Sequence, residues 1–285
     1  MDYANPDVLV ESEWLAANLD ESDIRVVDAT WYLPTAGQDP RAEHEVRHIP
    51  GAVYFDIDDI CAPDSALPHM LPTAEIFAAK VGGLGLSNAG RIVIYDANGG
   101  TAAAMRAWWM FRVFGHDDVA VLNGGLAKWL AEDRPTEEGA TNPEPVNFTT
   151  QFRPHLVRGV SELLDKLESG AAQVLDARSA ERYAGTALEP RPAKKAGHIP
   201  NSLSLPFNHL IDAKRDFTVR PADALAAAFS SAGIDMARPV VASCGSGVTA
   251  AVLVYALYLL GHDSAAVYDG SWSEWGNRDD TPVET

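Results

Sequence analysis

The chain is written twice. VVDATW at 26–31 returns as VLDARS at 174–179, and RHIPGAVYF at 47–55 returns as GHIPNSLSL at 197–205. RIVIYDANGG at 91–100 answers to PVVASCGSG at 239–247, and VFGHDDVAVLNGGLAKW at 113–129 to LLGHDSAAVYDGSWSEW at 259–275. For Asp28/Asp176, His48/His198, His116/His262 and Trp129/Trp275 the offsets are 148, 150, 146 and 146. A repeat this long and this steady means two copies of one domain; a solenoid repeats every 20–45 residues or so. The expected division is a first domain over 1–134, a linker over 135–150 and a second domain over 151–285. The linker lies in the run EDRPTEEGATNPEPVNF (132–148), rich in Pro, Glu and Gly and suited to an extended path over a surface.

Within each copy, short Val/Ile/Leu/Tyr runs alternate with longer stretches at helical spacing. In the second copy the strands are expected at 173–177, 203–205, 239–243 and 265–268, and the helices at 159–168, 222–232 and 248–260. Continuous apolar strands separated by helices imply an α/β fold, its mostly parallel sheet covered by helices on both faces. Ligands of such sheets bind beyond the carboxyl ends of the strands.

Charge narrows the partners. The formal net charge is −18, which argues against nucleic acid and anionic membrane as non-specific partners. The longest apolar run, AAVLVYALYLL, is too short to span a bilayer and reads as a buried helix. The opening MDYANPDVLVESEW is acidic and broken by proline, unlike an export leader, so the expectation is a cytoplasmic protein with two free thiols, Cys61 and Cys244.

One of those thiols stands out. Cys244 directly follows the strand PVVAS, so it falls at the ligand-binding edge, and CGSGVT leads straight into a helix. Gly245 and Gly247 let the loop curl with N–H groups turned inward, and the helix adds its positive end. A thiol held there is expected to ionise readily and act as a nucleophile. The first copy is a control: at the equivalent strand end it carries Asp96, in YDANGGTAAA, and no cysteine.

Tandem α/β domains, HIPGA and HIPNS near the middle of each, and a single cysteine in a six-residue loop resemble the rhodanese-type sulfurtransferases. CGSGVT, with VTA opening the helix, is most similar to the 3-mercaptopyruvate sulfurtransferases; DATWYLP, RHIPGAVYFDID, HMLP, WWMFRVFGH and YDGSW extend the match over nearly the whole chain. The resemblance implies two rhodanese-like domains, the second catalytic and the first without a catalytic cysteine. It also implies an enzyme that moves sulfur from 3-mercaptopyruvate through a Cys244 persulfide, releasing pyruvate, to a thioredoxin-like dithiol or to cyanide, with no bound cofactor or metal. The loop chemistry agrees: thiosulfate is a dianion, and Gly245 and Ser246 supply no cation where thiosulfate-using relatives typically carry two.

Arg182 in SAERYAG and Arg191 in LEPRPAKK follow the strand at 173–177, at the edge that holds Cys244. Read alone, they are equally solvated surface charges or carboxylate ligands; the resemblance assigns them to the substrate, whose carboxylate and carbonyl suit a planar fork of donors. Gly245, Gly247, Val248 and Thr249 are expected to complete the substrate site. The resemblance also implies a proton-handling group of Ser246, His69 in LPHMLP and Asp58 in YFDIDD, which would put the site in a cleft between the domains. His48, His198, Asp28 and Asp176 recur in both copies and read as structural; Lys194 and Lys195 read as surface, and Cys61 as incidental. A thiosulfate:cyanide sulfurtransferase, a cysteine-loop phosphatase and a non-catalytic sulfur-relay module stay open as alternatives.

Overall fold

The computed structural model of the chain describes residues 1–98 and 102–285. Gly99, Gly100 and Thr101 of the first-copy loop YDANGGTAAA lie outside the described residues. The first sheet holds β1 (Leu9–Val10), β2 (Ile24–Asp28), β3 (Val53–Tyr54), β4 (Arg91–Tyr95) and β5 (Val119–Leu122), in the order β1-β5-β4-β2-β3. The second copy adds β6 (Val157–Arg158), β7 (Gln173–Asp176), β8 (Leu203–Ser204), β9 (Ile211–Asp212), β10 (Thr218–Val219), β11 (Val240–Ser243) and β12 (Ala266–Tyr268). Its main sheet runs β6-β12-β11-β7-β8, the same order, and β9 and β10 form a separate antiparallel pair. All pairings within the two five-stranded sheets are parallel.

Helices α1 (Ser12–Asn18), α2 (Pro40–Val46), α3 (Ala74–Gly83), α4 (Ala102–Val113) and α5 (Gly125–Ala131) belong to the first copy. Helices α6 (Val160–Ser169), α7 (Ala180–Tyr183), α8 (Ala222–Ser231), α9 (Ala250–Leu259) and α10 (Ser271–Trp275) belong to the second. Alternation along the strands shows why both faces need cover. Ile92 and Ile94 of β4 join one core, while Val93 and Tyr95 join another, beneath Leu15 of α1 and Trp129 of α5. In the second copy Val240 and Ala242 face the first of these cores and Val241 a third, under Trp272 and Trp275. The strands and helices expected in the second copy fall within two residues of those observed, the edge strand β8 among them, while the edge strand β6, the β9–β10 pair and the short α7 and α10 were not anticipated.

The first core is continuous across both copies, because α4 packs on α9 and both are buried on all sides. Trp108 meets Tyr255 edge to face at 4.8 Å, and Arg112 lies over the Tyr258 ring at 3.9 Å. So the run AAVLVYALYLL is an interdomain helix, and among the described residues no helix is long and apolar enough to cross a membrane. Residues 3–8 also reach over: Ala4 N donates to Leu259 O at 2.8 Å, and Tyr255 Oη to Val8 O at 2.7 Å.

Around a pseudo-twofold relation the copies trade loops. Leu71 N donates to Asp269 Oδ2 at 2.7 Å, and Val219 N donates to Asn123 Oδ1 at 2.8 Å. Leu71 and Val219 hold corresponding places in the repeat, as do Asp269 and Asn123. Each crossing loop carries a left-handed residue two positions earlier, His69 (φ 59°) in one and Phe217 (φ 58°) in the other. This exchange delivers a histidine of the first domain to the cysteine of the second.

Candidate functional site

Cys244 lies at the carboxyl end of β11 and is almost wholly buried. The loop is stapled on its outer side: Cys244 N donates to Ser271 Oγ (3.1 Å), Trp272 N to Cys244 O (2.9 Å), and Ser273 N and Oγ to Gly245 O (2.8 and 2.7 Å). The Gly247 amide points at the sulfur, 3.1 Å from Sγ. An amide N–H is the kind of partner that an anionic sulfur uses.

The two glycines serve different purposes. Gly247 has φ +80°, a conformation that a side chain would strain, and a Cβ there would come 3.0 Å from Asp269 O and 2.8 Å from Arg106 Nη1. Gly245 has no positive φ. It is small because Arg182 lies over it: a Cβ would sit 2.8 Å from Nη2. The expectation that both glycines free the backbone therefore holds for Gly247 only, and Gly245 makes room for a guanidinium.

A cavity of about 330 Å³ opens above the sulfur. Cys244, Gly245, Ser246, Val248 and Thr249 form its floor, with Arg182, Arg191 and Trp31 on its walls. Arg182 Nε donates to Glu189 Oε2 at 3.1 Å, and Nη2 bonds the same oxygen. Glu189 also accepts from buried Arg178 (2.7 Å), which in turn is paired with Asp176. Two guanidinium groups thus share two carboxylates, and the cluster is close to neutral. Glu189 was invisible as a site residue in the sequence.

Among the described residues Arg191 is in no ion pair, although the Asp58 carboxylate acts on it. Its Nη1 donates to Ser246 Oγ at 3.2 Å and its Nη2 to His69 Nε2 at 2.9 Å. Burial holds this guanidinium below the usual arginine range, with Asp58 and Cys244 opposing. Because a guanidinium only donates, His69 Nε2 is the acceptor and the ring proton sits on Nδ1, 2.9 Å from Asp58 Oδ1. That contact has the length but not the angle of a good hydrogen bond. Trp31 Nε1 donates to Asp58 Oδ2 at 2.8 Å, and its ring meets His69 edge-on at 4.9 Å. Burial pushes the His69 imidazole below its usual range, only partly opposed by Asp58. The contact with His69 in turn lowers the Asp58 carboxyl.

Cys244, Ser246, Arg182, Arg191, His69 and Asp58 are therefore gathered at one place, where the second sheet meets the crossing loop of the first domain. Ser246 and His69 are joined through Arg191, without a direct bond between them among the described contacts. His69 and Asp58 stand behind Arg191, outside the cavity wall. The recurrent residues fasten turns: Asp28 Oδ1 accepts from Thr30 N and Asp176 Oδ1 from Arg178 N, each at 2.9 Å, and His48 and His198 bond the carbonyls of His44 and Tyr183. Lys195 is less free than expected, donating to Thr281 O at 2.6 Å. No group of three or more metal-ligating side chains occurs among the described residues.

The Rhodanese-like domain family matches residues 11–132 and again 159–278. The chain is 41% identical over 298 residues to the mitochondrial thiosulfate/3-mercaptopyruvate sulfurtransferase 1 of Arabidopsis thaliana, covering 97% of this chain and 78% of that one. It is 41% identical over 278 residues to the 3-mercaptopyruvate sulfurtransferase of Escherichia coli K12, covering 96% and 97%. A crystal structure of a 3-mercaptopyruvate sulfotransferase from Escherichia coli superposes with a TM-score of 0.85 at 37% identity, over 94% of this chain and 99% of that one.

Proposed function

The chain belongs to the rhodanese-like family, and from that premise we propose that it is a 3-mercaptopyruvate sulfurtransferase carrying sulfur on Cys244. The Cys244 thiolate attacks the thiol sulfur of the substrate. An S–S bond forms as the C3–S bond breaks, and the electron pair leaves on C3 as the enolate of pyruvate. Neutral His69 takes the proton of the substrate thiol at Nε2 and returns it to C3, completing pyruvate and leaving an anionic persulfide on Cys244. Attack by an acceptor thiolate or cyanide on the outer sulfur then restores the thiolate, so the kinetics are ping-pong.

The observation that carries this reading is Arg191, a guanidinium in no ion pair among the described residues and bonded at once to Ser246 of the cysteine loop and to His69. A guanidinium with no paired carboxylate among the described residues suits a substrate that brings one. The carboxylate and 2-oxo group take the fork of Arg191 and the face of Arg182, which frees Ser246 and His69 for the developing enolate and its proton. Asp58 holds the imidazole tautomer that leaves Nε2 able to accept. Gly245, Val248 and Thr249 shape the floor, while Gly247, expected there too, lies outside the cavity lining and turns its amide to the sulfur.

On this reading the domains divide at 1–134 and 151–285 around the 135–150 linker, and the first domain contributes the histidine rather than a nucleophile. The acceptor is a thioredoxin-like dithiol or cyanide, the setting is the cytoplasm, and neither nucleic acid nor membrane takes part. Thiosulfate is a second sulfur donor to test, because the Arabidopsis relative's name includes it. Steady-state rates with both donors, for the wild type and Cys244→Ser, test the reading. Mercaptopyruvate should win by about tenfold or more in kcat/KM, near 1.4 kcal/mol, and the variant should be inert. Turnover by Cys244→Ser would refute it.

A further inference from the structure

Helix α4 carries two arginines, and the first, Arg106 in the apolar stretch AAAMRAWWM, is fully buried at the domain interface. Its Nη2 donates to Asp269 Oδ1 at 2.8 Å and to the His69 carbonyl at 2.5 Å, while Nη1 donates to the Gly247 carbonyl at 3.3 Å. The guanidinium lies over the Trp109 ring at 4.3 Å. Asp269, also buried, uses its other oxygen to accept from Leu71 N at 2.7 Å. One ion pair thus grips the backbone of His69, of Leu71 and of the cysteine loop.

We propose that Arg106 and Asp269 are positioning residues for sulfur transfer: their buried ion pair fixes the first-domain histidine against the second-domain cysteine loop. The proposal rests on the reading of His69 given above.

The repeat supplies the internal comparison. The same crossing contact is made a second time, between Val219 and Asn123, with no ion pair. Asn123 stands where Asp269 stands. The place of Arg106 in α9 is a valine, Val254 in the register set by the cysteine loop and Val252 in the register set by the Gly-His pair. A crossing contact of this kind therefore forms without either charge. Among the described residues, the pair occurs on the side that has a cysteine and a histidine to align and has no counterpart on the other. A buried pair is a poor source of stability but a strict specifier of geometry, because a shift strands two charges. His69 needs that: it sits at φ 59°, a conformation that costs about 1 kcal/mol and persists only when neighbours impose it. Arg106 also adds its charge to the burial that holds the His69 imidazole low.

The test builds the charge-free contact into the catalytic side. Arg106→Val combined with Asp269→Asn removes both charges, so neither is stranded, and the fold is expected to survive, as judged by circular dichroism and thermal melting. With 3-mercaptopyruvate and dithiothreitol as acceptor, kcat should fall about tenfold or more while KM changes less than about threefold. The loss should fall on kcat alone, whereas a general loosening of the site would raise KM as well and lower the melting temperature. His69→Ala runs alongside. If that variant keeps wild-type kcat, the role of His69 fails and the positioning role with it. If His69→Ala is impaired but the double variant keeps wild-type kcat, or does not fold, the positioning role alone is overturned.

Discussion

Glu189→Gln should change which sulfur donor the enzyme prefers. The carboxylate accepts from Arg178 and Arg182 on the cavity wall, and its amide isostere keeps the shape while raising the charge of the site by one. For a substrate charge in the cavity that Glu189 lines, taken at roughly 7 Å from the carboxylate, two unit charges interact by about 2.4 kcal/mol at an effective dielectric near 20. Arg182 keeps some contact with solvent, so about half of that is the expected effect. Thiosulfate carries one more negative charge than mercaptopyruvate and gains it once more. The ratio of kcat/KM values should therefore move about five- to tenfold toward thiosulfate. Loosening of Arg182 would weaken both donors and cancels in the ratio. Arg178 keeps Asp176, so the variant should fold. The assay is steady-state sulfur transfer to cyanide with each donor. A ratio that stays put, or moves toward mercaptopyruvate, would refute charge balance as the basis of choice.

Three further outcomes follow from the geometry. Gly245→Ala should raise KM for mercaptopyruvate by about tenfold with little loss of thermal stability, because it displaces Arg182 without backbone strain; an unchanged KM would mean that Arg182 does not touch the substrate. Arg191→Lys keeps the charge but loses the fork, and kcat/KM should fall by about a hundredfold; a loss under threefold would remove Arg191 from the site. If neutral His69 is the working form, the acid limb of the kcat profile should lie below the ordinary imidazole value of about 6.5, and Asp58→Asn, which removes a carboxylate that favours protonation, should push it lower still; an acid limb above that value, or one that rises in Asp58→Asn, would contradict this.

What could be read from the sequence depended on how locally each feature is encoded. Strands such as IVIY and VVAS are apolar on both faces because both faces are covered, and short runs of that kind declare themselves. The edge strands Leu9–Val10 and Val157–Arg158 are too short to show any period and exist only because β5 and β12 pair with them. Cys244 was legible because its glycines lie beside it. Glu189 was not: an acid between Leu188 and Pro190 reads as surface until Arg178 and Arg182 are seen to converge on it. The link through Arg191 was equally hidden, since it joins residues 55 and 122 positions away. Arg106 did leave a signal, because one cation among alanines and tryptophans on a buried helix must have a partner.

The most direct measurement is a mass spectrum of proteolytic peptides after the reduced protein meets 3-mercaptopyruvate with no acceptor present. The Cys244 peptide should carry one additional sulfur, lost again on adding cyanide, with the Cys61 peptide unchanged. An unmodified Cys244 peptide alongside pyruvate release, or sulfur on Cys61 instead, would contradict transfer through the buried loop cysteine.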